Sequence, residues 1–230
     1  MKYDILTVTR YAQNCSLLAC EQTGAAAVID PGGDIGLLLD WLEWQELRLE
    51  TILVTHGHFD HCGAAADLAE RTGARIEGPH IGDAAAVAGL AEAGEKFGLK
   101  ARPYTPARWL EHGDVIAFGA QALEVLHCPG HCPGHVAYFH RAARQAFVGD
   151  ILFRGAIGAW EHPGGSLPLL LDSIRNRLFP LGDDVRFVPG HGDESTFGRE
   201  RVHNPFVGEE AMARWRERRA MPAPPADPAA

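Results

Sequence analysis

Short apolar runs alternate with turn residues along this chain. Ala25–Ile29 is apolar throughout and is stopped by Asp30-Pro31-Gly32-Gly33, which reads as a strand and a turn. Leu37, Leu38, Trp41, Leu42 and Gln45 follow helical spacing, with Asp34 as the expected N-cap. Residues 51–55 form a buried-strand run, and residues 64–71 read as a helix ending near Gly73. Further strands are expected at 122–126, 136–140, 145–148 and 185–188, and a helix over 169–178 that stops before Pro180. This order of strands and helices, with several hairpin-like pairs, predicts a layered α/β architecture.

Composition bounds the picture further. The 230 residues are 46% hydrophobic and 22% charged, as in an ordinary globular domain. No apolar run approaches the ~20 residues that span a bilayer, and the first residues carry no secretory signal pattern. The net charge of −9 disfavours a generic nucleic-acid or membrane-surface binder. Five cysteines (Cys15, Cys20, Cys62, Cys128 and Cys132) do not read as a disulfide framework, so a reducing cytoplasm is the expected location. A single domain is expected over residues 1–220, followed by a disordered Pro/Ala-rich tail over 221–230. Residues 209–219 read as a last helix, acidic at its start and basic at its end, and are expected to be a solvated face rather than a docking surface.

The 12 histidines are the outlier. Four strand-like runs deliver His or Asp into Gly- or Pro-bearing turns. They lead into His56-Gly57-His58-Phe59-Asp60-His61, His127-Cys128-Pro129-Gly130-His131, Gly149-Asp150, and Pro189-Gly190-His191-Gly192. Turns at strand ends are where a rigid sheet aims side chains at one point. Imidazole nitrogen and carboxylate oxygen suit zinc, and also iron or manganese. Three imidazoles and a carboxylate in one tight turn can point to different sides and feed two ions.

These motifs resemble the metallo-β-lactamase superfamily. Residues 56–61 carry its H-x-H-x-D-H signature, and His131, Asp150 and His191 fall where its later ligands fall. Within it, the chain resembles the short, single-domain bacterial glyoxalase II-like branch, the hydroxyacylglutathione hydrolases. Asp30-Pro31-Gly32-Gly33, residues 127–131, residues 149–155 and residues 189–192 carry that likeness. The resemblance implies an αββα four-layer sandwich with the metal site at one edge. It also implies two divalent ions, zinc favoured and iron or manganese compatible. His56, His58 and His131 would hold the first ion, and Asp60, His61 and His191 the second, with Asp150 bridging. The implied reaction is cleavage of an S-2-hydroxyacylglutathione thioester, such as S-lactoylglutathione, by a metal-bound hydroxide that Asp60 also positions. The implied partner is thus a small-molecule glutathione thioester, with no nucleic acid and no membrane. A persulfide dioxygenase with one iron, a related thioesterase or lactonase, and a non-enzymatic metal-binding scaffold are the alternatives.

Some features depart from the branch or extend the site. Relatives show Gly-Arg-x-Asp near residues 158–161, where Ala159 replaces the Arg, Glu161 stands near the Asp, and Trp160 and His162 add bulk. Cys132 stands where relatives carry Thr. Arg154 is expected to offer positive charge to the substrate, and His127 to orient a ligand. His135, Cys62 and Cys128 are expected to pack structurally. Longer relatives grip glutathione with a helical C-terminal domain, and only a short stretch follows His191 here, with residues 196–198 read as a turn.

Overall fold

The central strands are buried on both faces, so their side chains alternate between two cores rather than between core and water. On β2 (Gln13–Cys20), Cys15, Leu17 and Ala19 enter one core, while Leu18 and Cys20 enter another. On β8 (Val136–His140), Ala137 and Phe139 face one core, while Val136 and Tyr138 face the other. This period of two is set by the pleat. The computed structural model describes residues 1–211, 213 and 214.

The first sheet has the order β1 (Lys2–Val8), β2, β3 (Ala25–Ile29), β4 (Arg48–Leu53), β5 (Arg75–Glu77). Its first three strands are antiparallel, and β3, β4 and β5 are parallel. The second sheet contains β6 (Val115–Phe118), β7 (Gln121–His127), β8 and β9 (Gln145–Gly149). A small hairpin, β10 (Leu152–Phe153) and β11 (Ala156–Ile157), lies apart, and β12 (Arg186–Pro189) and β13 (Ser195–Thr196) complete the second sheet in the order β13-β12-β9-β8-β7-β6. Strand β12 runs parallel to β9, and the other pairs are antiparallel.

Three cores separate four layers. Helices α1 (Ile35–Trp44) and α3 (Ala65–Thr72) bury Leu38, Trp41, Leu42, Ala65 and Leu68 against the first sheet. The middle core joins the sheets through Leu18, Leu53, Phe118, Leu123, Tyr138 and Phe147. On the far side, α6 (Leu167–Ser173) and α7 (Phe197–His203) place Leu170 and Phe197 on the second sheet. The expected αββα sandwich is therefore the fold. The one-turn α2 (Phe59–Cys62), α4 (Ala84–Ala88) and α5 (Leu90–Phe97) are further helices. Among the described residues no helix is long and apolar enough to cross a membrane.

Several expected boundaries move. Asp34 stands at the N-cap of α1 as expected, but its backbone is left-handed (φ 50°) and its carboxylate makes no capping bond, accepting the Thr9 amide at 2.7 Å instead. The helix expected over 169–178 begins at Leu167, turns π-helical over Ile174–Leu178, and passes into a 3₁₀ turn through Pro180. Residues 196–198 open a helix rather than a turn, with the Thr196 hydroxyl accepting the Arg199 amide at 3.1 Å. Most of the expected 209–219 helix, with the end of the 1–220 domain and the 221–230 tail, lies outside the described residues.

Candidate metal centre

Strand-end turns from both sheets meet at one edge of the sandwich. Past β4, the turn reaches His56 and His58, and the single helical turn of α2 then brings Asp60 and His61 round. His131 lies in the β7–β8 turn, and Asp150 directly follows β9. A register shift between Val188 and Pro189 bends the end of β12 just before His191, the kind of irregularity that re-aims a side chain. Asp83 ties two of these turns together: its carboxylate accepts the Gly57 amide at 2.8 Å and the Gly134 amide at 2.5 Å. Asn14 ties β2 to the last turn, donating to the Pro189 and Gly192 carbonyls at 3.1 and 2.8 Å. Gly190 is required by close approach, since a Cβ there would lie 2.2 Å from Asp150 Oδ1 and 2.5 Å from His61 Cε1.

The side chains form two groups with Asp150 between them. In the first, His131 Nε2 lies 3.0 Å from His58 Nδ1, and the His56 ring is centred 4.6 and 4.9 Å from those of His58 and His131. In the second, His61 Nε2 is 3.3 Å from His191 Nε2, and Asp60 Oδ2 is 3.4 Å from His191 Nε2. Asp150 Oδ1 is 3.4 Å from His61 Nε2, while its Oδ2 is 3.8 Å from His131 Nε2 and 3.7 Å from His191 Nε2.

Each imidazole is held from behind by its outer nitrogen. His61 Nδ1–H donates to Asp30 at 3.0 Å, His131 Nδ1–H to the Ala159 carbonyl at 2.8 Å, and His191 Nδ1–H to the Tyr11 carbonyl at 3.1 Å. The Thr55 hydroxyl donates to Asp30 at 2.6 Å, so it accepts from His56 Nδ1–H at 3.0 Å. His58 Nε2 meets the Cys132 sulfur at 3.3 Å. The buried Asp30 carboxylate thus sets the tautomer of one histidine in each group, directly for His61 and through Thr55 for His56. Partners of this kind fix ring orientation in metal sites.

With the imidazoles neutral, the inner nitrogens would present lone pairs to one another, an arrangement that calls for a proton or a metal cation between them. His56 Nε2 and Asp150 Oδ1 are buried with no hydrogen-bond partner among the described residues, and such orphans are costly unless an ion meets them. The donor set therefore fits divalent metal. Burial and then neighbouring imidazoles push the His58 pKa down to about 3, and push His56 well below its usual value. For His61, burial acts against the charge, but Asp150 and Asp30 outweigh it and raise the pKa. Burial alone would raise Asp150, yet His61, His131 and His191 hold its carboxyl well below the usual range.

The remaining sequence candidates sit around this centre. Arg154 is half exposed and pairs with Asp193 at 3.1 Å, beside the His191 turn. His127 contacts none of these side chains in its described interactions: it donates to the Pro133 carbonyl at 2.9 Å and stacks on His80. His135, expected only to pack, stacks on His56 at 4.5 Å and accepts the Asp150 amide at 3.1 Å. Sequence reasoning missed Asp30 and Asp83 as supports. In the sequence Asp30 belongs to a turn and to a family-like motif with no role attached to it, whereas a left-handed backbone (φ 56°) at a non-glycine position marks it in the structure. All five cysteines are buried free thiols.

Comparisons with known proteins show the family. Residues 8–191 match the Metallo-beta-lactamase superfamily. A hydroxyacylglutathione hydrolase, GloC, of Haemophilus influenzae is 38% identical over 213 residues, covering 92% of this chain and 100% of the relative. The crystal structure of TTHA1623 in a di-iron-bound form superposes with a TM-score of 0.80 at 36% identity, covering 89% of this chain and 100% of that one. That of BLEG-1 B3 metallo-beta-lactamase gives 0.82 at 31% identity, covering 90% and 99%. With ligand-type side chains gathered where two sheets end, and with likeness over nearly its whole length, the chain belongs to the metallo-β-lactamase superfamily.

Proposed function

We propose that this protein hydrolyses the thioester of S-2-hydroxyacylglutathione, of the S-lactoylglutathione type, at a dinuclear metal centre. His56, His58 and His131 would hold one ion, Asp60, His61 and His191 the other, and Asp150 would be shared. One observation carries the reading: seven donor side chains converge from turns of two sheets, with all five imidazoles braced on their outer nitrogens. The 38% identity to a hydroxyacylglutathione hydrolase supports the substrate class.

Two divalent ions so placed would supply Lewis acidity and an acidified water. The protein's share is orientation and charge. Asp150 lies between the groups, with Oδ1 toward His61 and Oδ2 between His131 and His191, which keeps the two in register. Asp60, partly open to solvent, is placed to accept a hydrogen bond from the attacking water and hold it in line. Asp60 and Asp150 bring only two negative charges to the centre, so two dications leave it positive, which suits an anionic glutathione thioester. Zinc is favoured by the nitrogen and oxygen donors, and iron or manganese are compatible. The free thiols fit a cytoplasmic location.

The rival reading, a persulfide dioxygenase with one iron, needs only two histidines and Asp150. It leaves Asp60, His61 and His191 unused, although their facing atoms lie 3.3 to 3.8 Å apart. The test is loss of the thioester from S-D-lactoylglutathione by protein reconstituted with zinc and, separately, with iron, alongside metal analysis. The proposal expects turnover with about two ions per chain. Asp60→Ala and His131→Ala should each abolish hydrolysis and lower metal content, and full activity in either variant sinks the assignment.

A further inference from the structure

We infer that His162 is a specificity residue, facing the acyl part of the substrate and hydrogen-bonding the hydroxyl next to the reacting carbonyl. This rests on the thioester-hydrolase reading above.

The segment that carries His162 is fastened to the metal-site turns. The Ala159 carbonyl accepts from His131 at 2.8 Å, and the Ser166 amide donates to the Gly130 carbonyl at 2.7 Å. The Gly165 amide closes the intervening turn on the His162 carbonyl at 2.9 Å, and the Trp160 ring meets Phe206 edge-on. His162 is thereby set against the first group of histidines, its ring centred 5.0 Å from that of His131 and 5.3 Å from that of His58, edge to face.

Its own polar atoms are unspent. Nδ1 has only the Pro163 carbonyl at 3.4 Å, a long contact with the next residue. Nε2 is shielded from water and has no hydrogen-bond partner among the described residues. Nδ1 lies on the exposed side, so it is the nitrogen that an incoming group can reach, and the protein offers it only that long contact. His162 also stands outside the donor groups whose atoms lie within 4.8 Å of one another, so it is not placed as a further metal ligand.

What arrives in the site is the substrate. A residue packed on His58 and His131 meets the atoms bonded to the carbonyl carbon. One is the thioester sulfur, a poor hydrogen-bond partner. On the other side, the α-hydroxyl both donates and accepts. An imidazole nitrogen matches the hydroxyl. An imidazole nitrogen can donate or accept, whereas the indole N–H of the neighbouring Trp160 only donates, and it is the His162 ring that packs on both His58 and His131. A site built to hydrogen-bond a hydroxyl discriminates against the analogue that lacks it.

The experiment compares S-D-lactoylglutathione with S-propanoylglutathione, which differ only in that hydroxyl, on zinc-loaded wild type, His162→Phe and His162→Gln. The ratio of kcat/KM values, hydroxyacyl over acyl, should fall about threefold to tenfold in His162→Phe. His162→Gln, which keeps hydrogen-bonding atoms, should retain most of it, and metal content should stay at the wild-type level in both. Independently of turnover, the imidazole ¹⁵N signals missing from His162→Phe should shift when D-lactate is added to the wild type and stay put with propanoate. An unchanged ratio in His162→Phe, a loss of metal in that variant, or equal shifts with both acids each overturn the inference. Failure of the wild type on both thioesters would instead refute the hydrolase reading, and the ¹⁵N comparison would then decide the His162 contact alone.

Discussion

Replacing Asp30 by Asn isolates a charge and two tautomers while leaving shape intact. Asn tolerates the left-handed backbone at this position, so strain is not added as it would be with Ala. Asp30 Oδ1 accepts the Thr55 amide at 2.7 Å, and Oδ2 accepts the Thr55 hydroxyl at 2.6 Å and His61 Nδ1–H at 3.0 Å. The Thr55 amide fixes which way the new carboxamide faces, because its oxygen must replace Oδ1. The amide nitrogen then occupies the Oδ2 position and donates. His61 has to accept there, which moves its proton to the inward Nε2. The Thr55 hydroxyl also has to accept, and so must donate to His56 Nδ1, which moves that proton inward too. One atom change therefore puts a proton on an inner nitrogen of each group. Loss of such an outer partner typically costs 10–100-fold in metal affinity, about 1.4–2.7 kcal/mol per ion. Competition titration against a chromophoric chelator should show both ions weakened, with hydrolysis falling at limiting metal and partly recovering at excess. Two ions held at wild-type affinity in Asp30→Asn would refute the tautomer argument.

Three further outcomes follow from the same geometry. Gly190→Ala places a methyl against Asp150 and His61 and should destabilise the protein by about 1–3 kcal/mol, with metal content falling; a normally loaded variant would show that the turn yields. Tyr138→Phe removes the buried 2.6 Å hydrogen bond to the Val54 carbonyl, and thermal unfolding should shift down by about 3–6 °C, for a loss of about 1–2 kcal/mol. For His61 and His191, burial disfavours the proton, but neighbouring carboxylates prevail and raise both pKa values. In metal-free protein their contribution to stability is full below about pH 6.5 and is lost as pH rises through the raised values. Metal must displace those protons, so affinity should weaken steadily as pH falls from 8 to 6, with protons released on binding; a flat affinity profile across that range would contradict the raised values.

Much of the site was legible because ligand chemistry clusters locally. His56, His58, Asp60 and His61 share one turn, and the apolar runs before His131, Asp150 and His191 mark those residues as strand-end deliveries. The layered fold was legible from short apolar runs buried on both sides. What escaped depends on three-dimensional neighbours. Asp30 reads as a turn aspartate until β3 and β4 lie side by side and bring Thr55 and His61 to it. Asp83 lies in a segment with no motif, and its role appears only when the 56–61 and 131–135 turns face each other. His127 and His135 look alike in sequence, at the two ends of one turn. Only the strand register decides that His135 turns inward onto His56 and Asp150 while His127 goes to the surface beside His80. Asp34 holds the N-cap position that the spacing predicts, but that its carboxylate meets the Thr9 amide rather than the helix is set by the fold.

The donors are divided between the two sheets: residues 56–61 hang from the first, and His131, Asp150 and His191 from the second. An ion bound to both would act as a rivet across the seam of the sandwich. Its binding energy would resist sliding or splaying of one sheet against the other, and loading would raise the melting temperature with metal concentration. The coupling runs the other way as well. Trimming Phe118 or Leu123 in the middle core, remote from any donor in sequence and chemistry, would let the sheets settle by fractions of an ångström and detune the grip on metal. The centre is therefore a gauge of how well the two halves of the molecule are seated, and selection on metal affinity would act on packing along the whole seam.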